Sequence, residues 1–165
     1  MPILLLALLA ASVVFLVMRR PFSYWPVETP IVTSAFGARV HPVTGKPSFH
    51  NGTDFRAATG APLFSIGAGV VVDVGADARS GTFVRLEGRG EHAGWSWSYS
   101  HLSALLVSRG DELEAGAKIG EAGATGRVTG PHLHFVVRRR GELVDPMTVL
   151  PFLGSDQGTD EERHA

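Results

Sequence analysis

Gly130-Pro131-His132-Leu133-His134-Phe135 carries the reading of this chain. Side chains alternate faces on a β-strand, so His132 and His134, two apart, project from one face about 7 Å apart along the strand. That spacing suits two imidazoles sharing one metal site. Working outward, Phe49-His50-Asn51-Gly52-Thr53-Asp54-Phe55 adds His50 and Asp54. These two lie four apart and fall on one side whether the segment is extended or helical, and Gly52 between them lets the backbone turn tightly. Ser100-His101-Leu102-Ser103 adds a further imidazole.

A catalytic zinc usually takes three ligands from His and carboxylate and leaves a fourth position for water. Five candidates, His50, Asp54, His101, His132 and His134, exceed that need, so some are expected to be catalytic rather than ligating. A single His is ordinarily a packed or surface imidazole. Five metal-competent side chains in three short segments, each hemmed by Gly and apolar residues, point instead to a site, with His41, His92 and His164 outside it. The chain has no Cys, which excludes disulfides and a thiolate zinc site.

From residue 31 the sequence consists of short runs rich in Val, Phe and Ile punctuated by Gly. Strands are expected at 31–36, 62–74, 82–87, 95–101, 117–122, 132–138 and 142–144, with a possible short helix only at 102–106. The expectation is an all-β, largely antiparallel fold with the site at one end of a sheet and its His side chains on the open face. Residues 31–153 form the domain and 154–165 an acidic disordered tail. Residues 21–30, with three Pro, read as a linker.

The apolar run 3–18 within residues 1–20 reads as a hydrophobic helix, either a membrane anchor or a signal segment. At helical rise it reaches about 24 Å against a hydrocarbon core of about 30 Å. Arg19-Arg20 follows it, a charge bias that by itself would keep the domain in the cytoplasm. Net charge is −1, so a nucleic-acid partner held by phosphate contacts is not expected.

The order His-x-x-x-Asp, Tyr-Ser-His-Leu-Ser and Thr-Gly-Pro-His-Leu-His-Phe resembles the lysostaphin and LytM type of zinc metallopeptidases, which cleave peptides of the bacterial cell wall. The stretch Ser34 to Pro42 resembles that family's lead-in, Ala61 to Val71 its first core hairpin, and Gly120 to Gly126 the turn before the His-x-His strand. The resemblance implies that His50, Asp54 and His134 hold one zinc, while His101 and His132 handle protons and the oxyanion. It also implies peptidoglycan stem or cross-bridge peptides as substrate, and a monomer in the cell envelope, periplasmic or extracytoplasmic and membrane-anchored, with a phage-encoded or secreted enzyme as the alternative. Some family members carry a Tyr just before the first ligand; here the only Tyr are Tyr24 and Tyr99.

Other features carry less. Asn51-Gly52-Thr53 matches a glycosylation sequon but reads as a turn, because a glycan there would sit inside the metal site. Arg138-Arg139-Arg140-Gly141 reads as a hairpin tip, and Trp95 and Trp97 as core or groove lining. A binding module of the same fold would typically lack ligands, and a sugar phosphocarrier would not need Asp54.

Overall fold

The computed structural model describes residues 20–40 and 45–152. The strands are β1 Val32–Ser34, β2 Gly37–Val40, β3 Pro47–His50, β4 Thr53–Arg56, β5 Pro62–Phe64, β6 Gly69–Asp77, β7 Gly81–Gly88, β8 Trp95–Leu105, β9 Glu112–Leu113, β10 Lys118–Ala122, β11 His132–Arg139 and β12 Glu142–Val144. Two 3-10 turns, Gly90–His92 and Pro146–Thr148, complete the described elements. The main sheet runs β1-β4-β11-β8-β7-β6-β9, with β12 beside β11 and β10 joining β8 to β5, while β2 and β3 form a separate hairpin. Every strand pairing is antiparallel, as expected of the all-β reading.

Alternation explains which face is core. In β8 Trp97 and Tyr99 are buried while Ser96 and Ser98 are partly open, and in β7 Val84 and Leu86 are buried while Arg85 and Glu87 are exposed. In β11 Leu133, Phe135 and Val137 are fully buried, which leaves His132 and His134 on the opposite face. The β11–β12 connection has Arg140 and Gly141 at φ 51° and 87°, the two left-handed residues of a tight hairpin turn matched to strand twist. The hairpin-tip reading of that segment therefore holds.

Three expectations differ. Residues 102–105 continue β8 rather than forming a helix, because they pair with β10 across Gly120, Glu121 and Ala122. The expected strand 62–74 is two strands, β5 and β6, separated by a loop in which Ser65 Oγ donates to Gly67 O. The stretch 21–30 is not a free linker: Phe22, Trp25 and Val27 are buried in the core. Phe22 stacks on buried His92 at 5.0 Å, Val27 bridges Leu63, and Phe64 N donates to Pro26 O. A chain whose Pro residues remove backbone donors can still pack through its aromatics.

Among the described residues no helix is long and apolar enough to cross a membrane. The apolar run 3–18 and the acidic stretch 154–165 lie outside the described residues.

Candidate metal centre

Four strands, β3, β4, β8 and β11, bring the five residues together. Pairing of β4 with β11 sets Asp54 opposite His134, and pairing of β11 with β8 sets His134 opposite Ser100, one residue before His101. His50 ends β3, and the Asn51-Gly52 turn leads directly into β4. Gly52 matters here for space: a Cβ on it would run into the Phe135 carbonyl oxygen and the Val136 methyl, so only Gly lets this turn lie against β11.

The donor atoms converge. His50 Nε2 lies 3.1 Å from His134 Nδ1 and 3.2 Å from Asp54 Oδ1, and His134 Nδ1 lies 2.7 Å from Asp54 Oδ1. A tetrahedral ion with bonds of about 2.0–2.1 Å separates its ligand atoms by about 3.3 Å, so this donor triangle fits a zinc-sized site. His132 Nε2 stands back at 3.9 Å from Asp54 Oδ1. The His132 ring lies 4.9 Å from that of His101, which in turn lies 6.0 Å from that of His134.

Carbonyl oxygens fix the imidazole tautomers, since a carbonyl can only accept. His50 Nδ1 donates to Ala35 O at 2.9 Å, which aims Nε2 at Asp54 and His134. His101 Nδ1 donates to Thr125 O at 2.8 Å and His132 Nδ1 to Gly130 O at 2.9 Å, so each keeps Nε2 free. Thr125 is itself clamped: its Oγ1 accepts from Thr82 N at 3.0 Å and donates to Leu102 O at 2.9 Å. Burial alone would raise the Asp54 pKa, but hydrogen bonds and charge from His134 and His50 outweigh it and hold the carboxyl well below the usual carboxylate range. An ionised carboxylate beside two imidazoles is the donor set that suits a borderline dication. Burial lowers the His101 pKa, reinforced by the neighbouring imidazoles and opposed by its bond to Thr125. His101 also adopts φ 70°, a left-handed backbone that costs a non-Gly residue energy and is found where function demands it.

The set assembled by sequence reading is complete in space, and His50, Asp54 and His134 form a group able to hold a metal ion. His92 lies outside it, packed on Phe22, with Nε2 donating to Pro21 O at 3.0 Å. Sequence reading missed Thr125 and Ala35, whose contributions are backbone carbonyls. Only the Gly-bounded context of Thr125, between Gly123 and Gly126, hints at a fixed turn.

The Peptidase family M23 profile matches residues 48–146, a span that contains all five site residues. The chain belongs to peptidase family M23. The M23 chain is 42% identical over 149 residues to the peptidoglycan DD-endopeptidase ShyB of Vibrio cholerae, covering 86% of this chain and 34% of that protein. A crystal structure of a zinc-containing peptidase from Vibrio cholerae superposes with a TM-score of 0.71 at 41% identity, over 82% of this chain and 41% of the other. The catalytic domain of lysostaphin from Staphylococcus simulans gives a TM-score of 0.63 at 30% identity, over 72% of this chain and 90% of that domain. The M23 chain spans about a third of the length of the curated relatives it matches, 34%, 30% and 33% for three Vibrio cholerae endopeptidases.

Proposed function

We propose that this chain is a zinc metalloendopeptidase that hydrolyses peptide bonds in peptidoglycan stem or cross-bridge peptides. The observation that carries the reading is the convergence of His50, Asp54 and His134 within hydrogen-bonding distance of one another, beside two further imidazoles with free Nε2 atoms. His50, Asp54 and His134 would hold the ion. When bound, zinc supplies Lewis acidity, polarising the scissile carbonyl and acidifying a water. His101 and His132 share the remaining work: accepting the proton of the attacking water, returning it to the leaving amine, and donating to the oxyanion. All five residues come from one chain, so a monomer would carry the complete set. A wall substrate places the reaction outside the cytoplasm, and the apolar run 3–18 supports a membrane anchor there.

The decisive experiment pairs metal content with wall-peptide hydrolysis for His101→Ala and His132→Ala. Each variant is expected to keep its zinc and to lose about a hundred- to ten-thousandfold in rate, the usual worth of a positioned acid or base. The two losses need not add, because the residues act as a unit. A zinc-loaded variant with near wild-type turnover removes that His from the mechanism, and a zinc-free one moves it into the ligand set.

Thr125 positions His101 and touches no ligand. Thr125→Val, nearly isosteric, removes both hydroxyl bonds, and turnover is expected to fall about tenfold while zinc is retained; Thr125→Ser should restore it. Equal turnover in Thr125→Val would show that the loop holds His101 without the hydroxyl.

A further inference from the structure

The face of β11 that carries His134 continues past the metal centre. Cross-strand register sets His134, Val136 and Arg138 opposite Ser100, Ser98 and Ser96 of β8, and Arg85 of β7 opposite Ser98 on the far side. Strand β4 accompanies β11 only as far as Thr53 opposite Phe135, so Val136 and Arg138 lie beyond its end. Val136 is buried yet stands outside the main core cluster, as a residue on the other face of the sheet must. Here the surface has a shallow, open depression lined by Arg85, Ser96, Trp97, Ser98, Val136 and Arg138. Four residues of strand separate Arg138 from His134, about 13 Å.

Two guanidinium groups and no carboxylate line this depression. Among the described residues Arg138 makes no ion pair; its Nη1 donates to Gly141 O at 3.2 Å, which leaves the rest of its fork of donors available. Arg85 meets Asp73 at 3.7 Å, but Asp73 belongs to β6, on the side of β7 away from β11, and both side chains are about half exposed. An ion pair that open is worth little and yields readily to a better partner. Glu87, opposite Ser96, is outside the lining.

We propose that this depression is a carboxylate subsite. It receives a free carboxylate of the substrate peptide, about four extended residues from the bond that is cut, with Arg138 as the principal anchor and Arg85 as the second. A planar guanidinium matches a carboxylate in two parallel hydrogen bonds, and the Ser96 and Ser98 hydroxyls offer further donors. Arg138 shares a strand face with His134, which sets the spacing between the depression and the metal centre. The inference rests on the endopeptidase reading above and adds to it which peptides are preferred.

The test uses the full chain loaded with zinc and two peptides that share the same scissile bond. One bears a free carboxylate four residues away, and the other bears an amide at that position. Cleavage and calorimetric binding are measured for each with wild type, Arg138→Gln, Arg138→Lys and Arg85→Gln. Wild type is expected to favour the carboxylate peptide by about ten- to a hundredfold, mainly in KM, the worth of a charge-assisted pair. Arg138→Gln should treat both peptides alike, Arg138→Lys should recover part of the preference, and Arg85→Gln should lose less than Arg138→Gln. Equal handling of the two peptides by wild type, or a preference that survives in Arg138→Gln, overturns the subsite. If both peptides are cut equally, the endopeptidase reading stands without it. If neither is cut but the carboxylate peptide binds more tightly through Arg138, the subsite stands and the endopeptidase reading falls.

Discussion

Asp54→Ala is expected to lose most of the zinc that the site would hold and, with it, hydrolysis of wall peptides. Among the described residues Asp54 is the one anion in the centre, and its Oδ1 lies within 4 Å of ring nitrogens on His50, His132 and His134. Without it, two neutral imidazoles remain to hold a dication. The loss in affinity should exceed the ~10–100-fold that follows from disturbing only a ligand's supporting hydrogen bond. Zinc per chain after dialysis against a weak chelator, read alongside hydrolysis, checks this; full zinc in the variant would remove Asp54 from the ligand set. The same residue predicts an acid response of the metal-free chain. Its pKa is held below the unfolded value of about 3.9, so its contribution to stability is present above that pH and drains away as the pH falls toward the folded-state value.

A chain beginning at residue 28 is expected not to fold stably. It lacks Phe22, Trp25 and Val27, all buried in the core, and the Arg20 guanidinium that caps the Met147 and Leu150 carbonyls. Deleting a buried Phe or Trp side chain costs about 3–5 kcal/mol. Two such losses consume most of the roughly 5–15 kcal/mol by which a domain is stable. The graded check is Phe22→Ala, Trp25→Ala and the double variant under urea. A truncated chain within about 1 kcal/mol of the full one would mean that the strap decorates the core instead of completing it.

The site was more legible than the scaffold, for a physical reason. His132 and His134 announce themselves because strand period two makes a spacing of two a shared face, and β11 follows that rule with Leu133, Phe135 and Val137 buried on the other side. The strap was illegible because Phe22, Trp25 and Val27 follow no period and stand among Pro residues, the composition of a spacer. Residues 47–50 and 53–56, which carry two of the proposed ligands, were not expected as strands. Their four-residue runs are too short to show alternation, and β4 finds its partner in β11, about 80 residues along the chain. Leu102 to Leu106 was the one stretch open to a helix, yet Gly120 to Ala122 claim the backbone of residues 102–105 for a sheet. Thr125 left no trace because what it gives His101 is a carbonyl, which every residue has.

The β4–β11 pairing has one more consequence, for the order of events as the chain folds. His50 and Asp54 are neighbours in sequence, but His134 reaches them across 84 and 80 residues. Closing loops of that length is slow, and strand pairings between distant segments form late relative to local turns. A nascent chain therefore offers metal a local pair of ligands and nothing more until β11 has docked between β4 and β8. If the site takes zinc as proposed, the ion is expected to be recruited by a finished sheet, so that its uptake would serve as a clock for the last long-range step of folding.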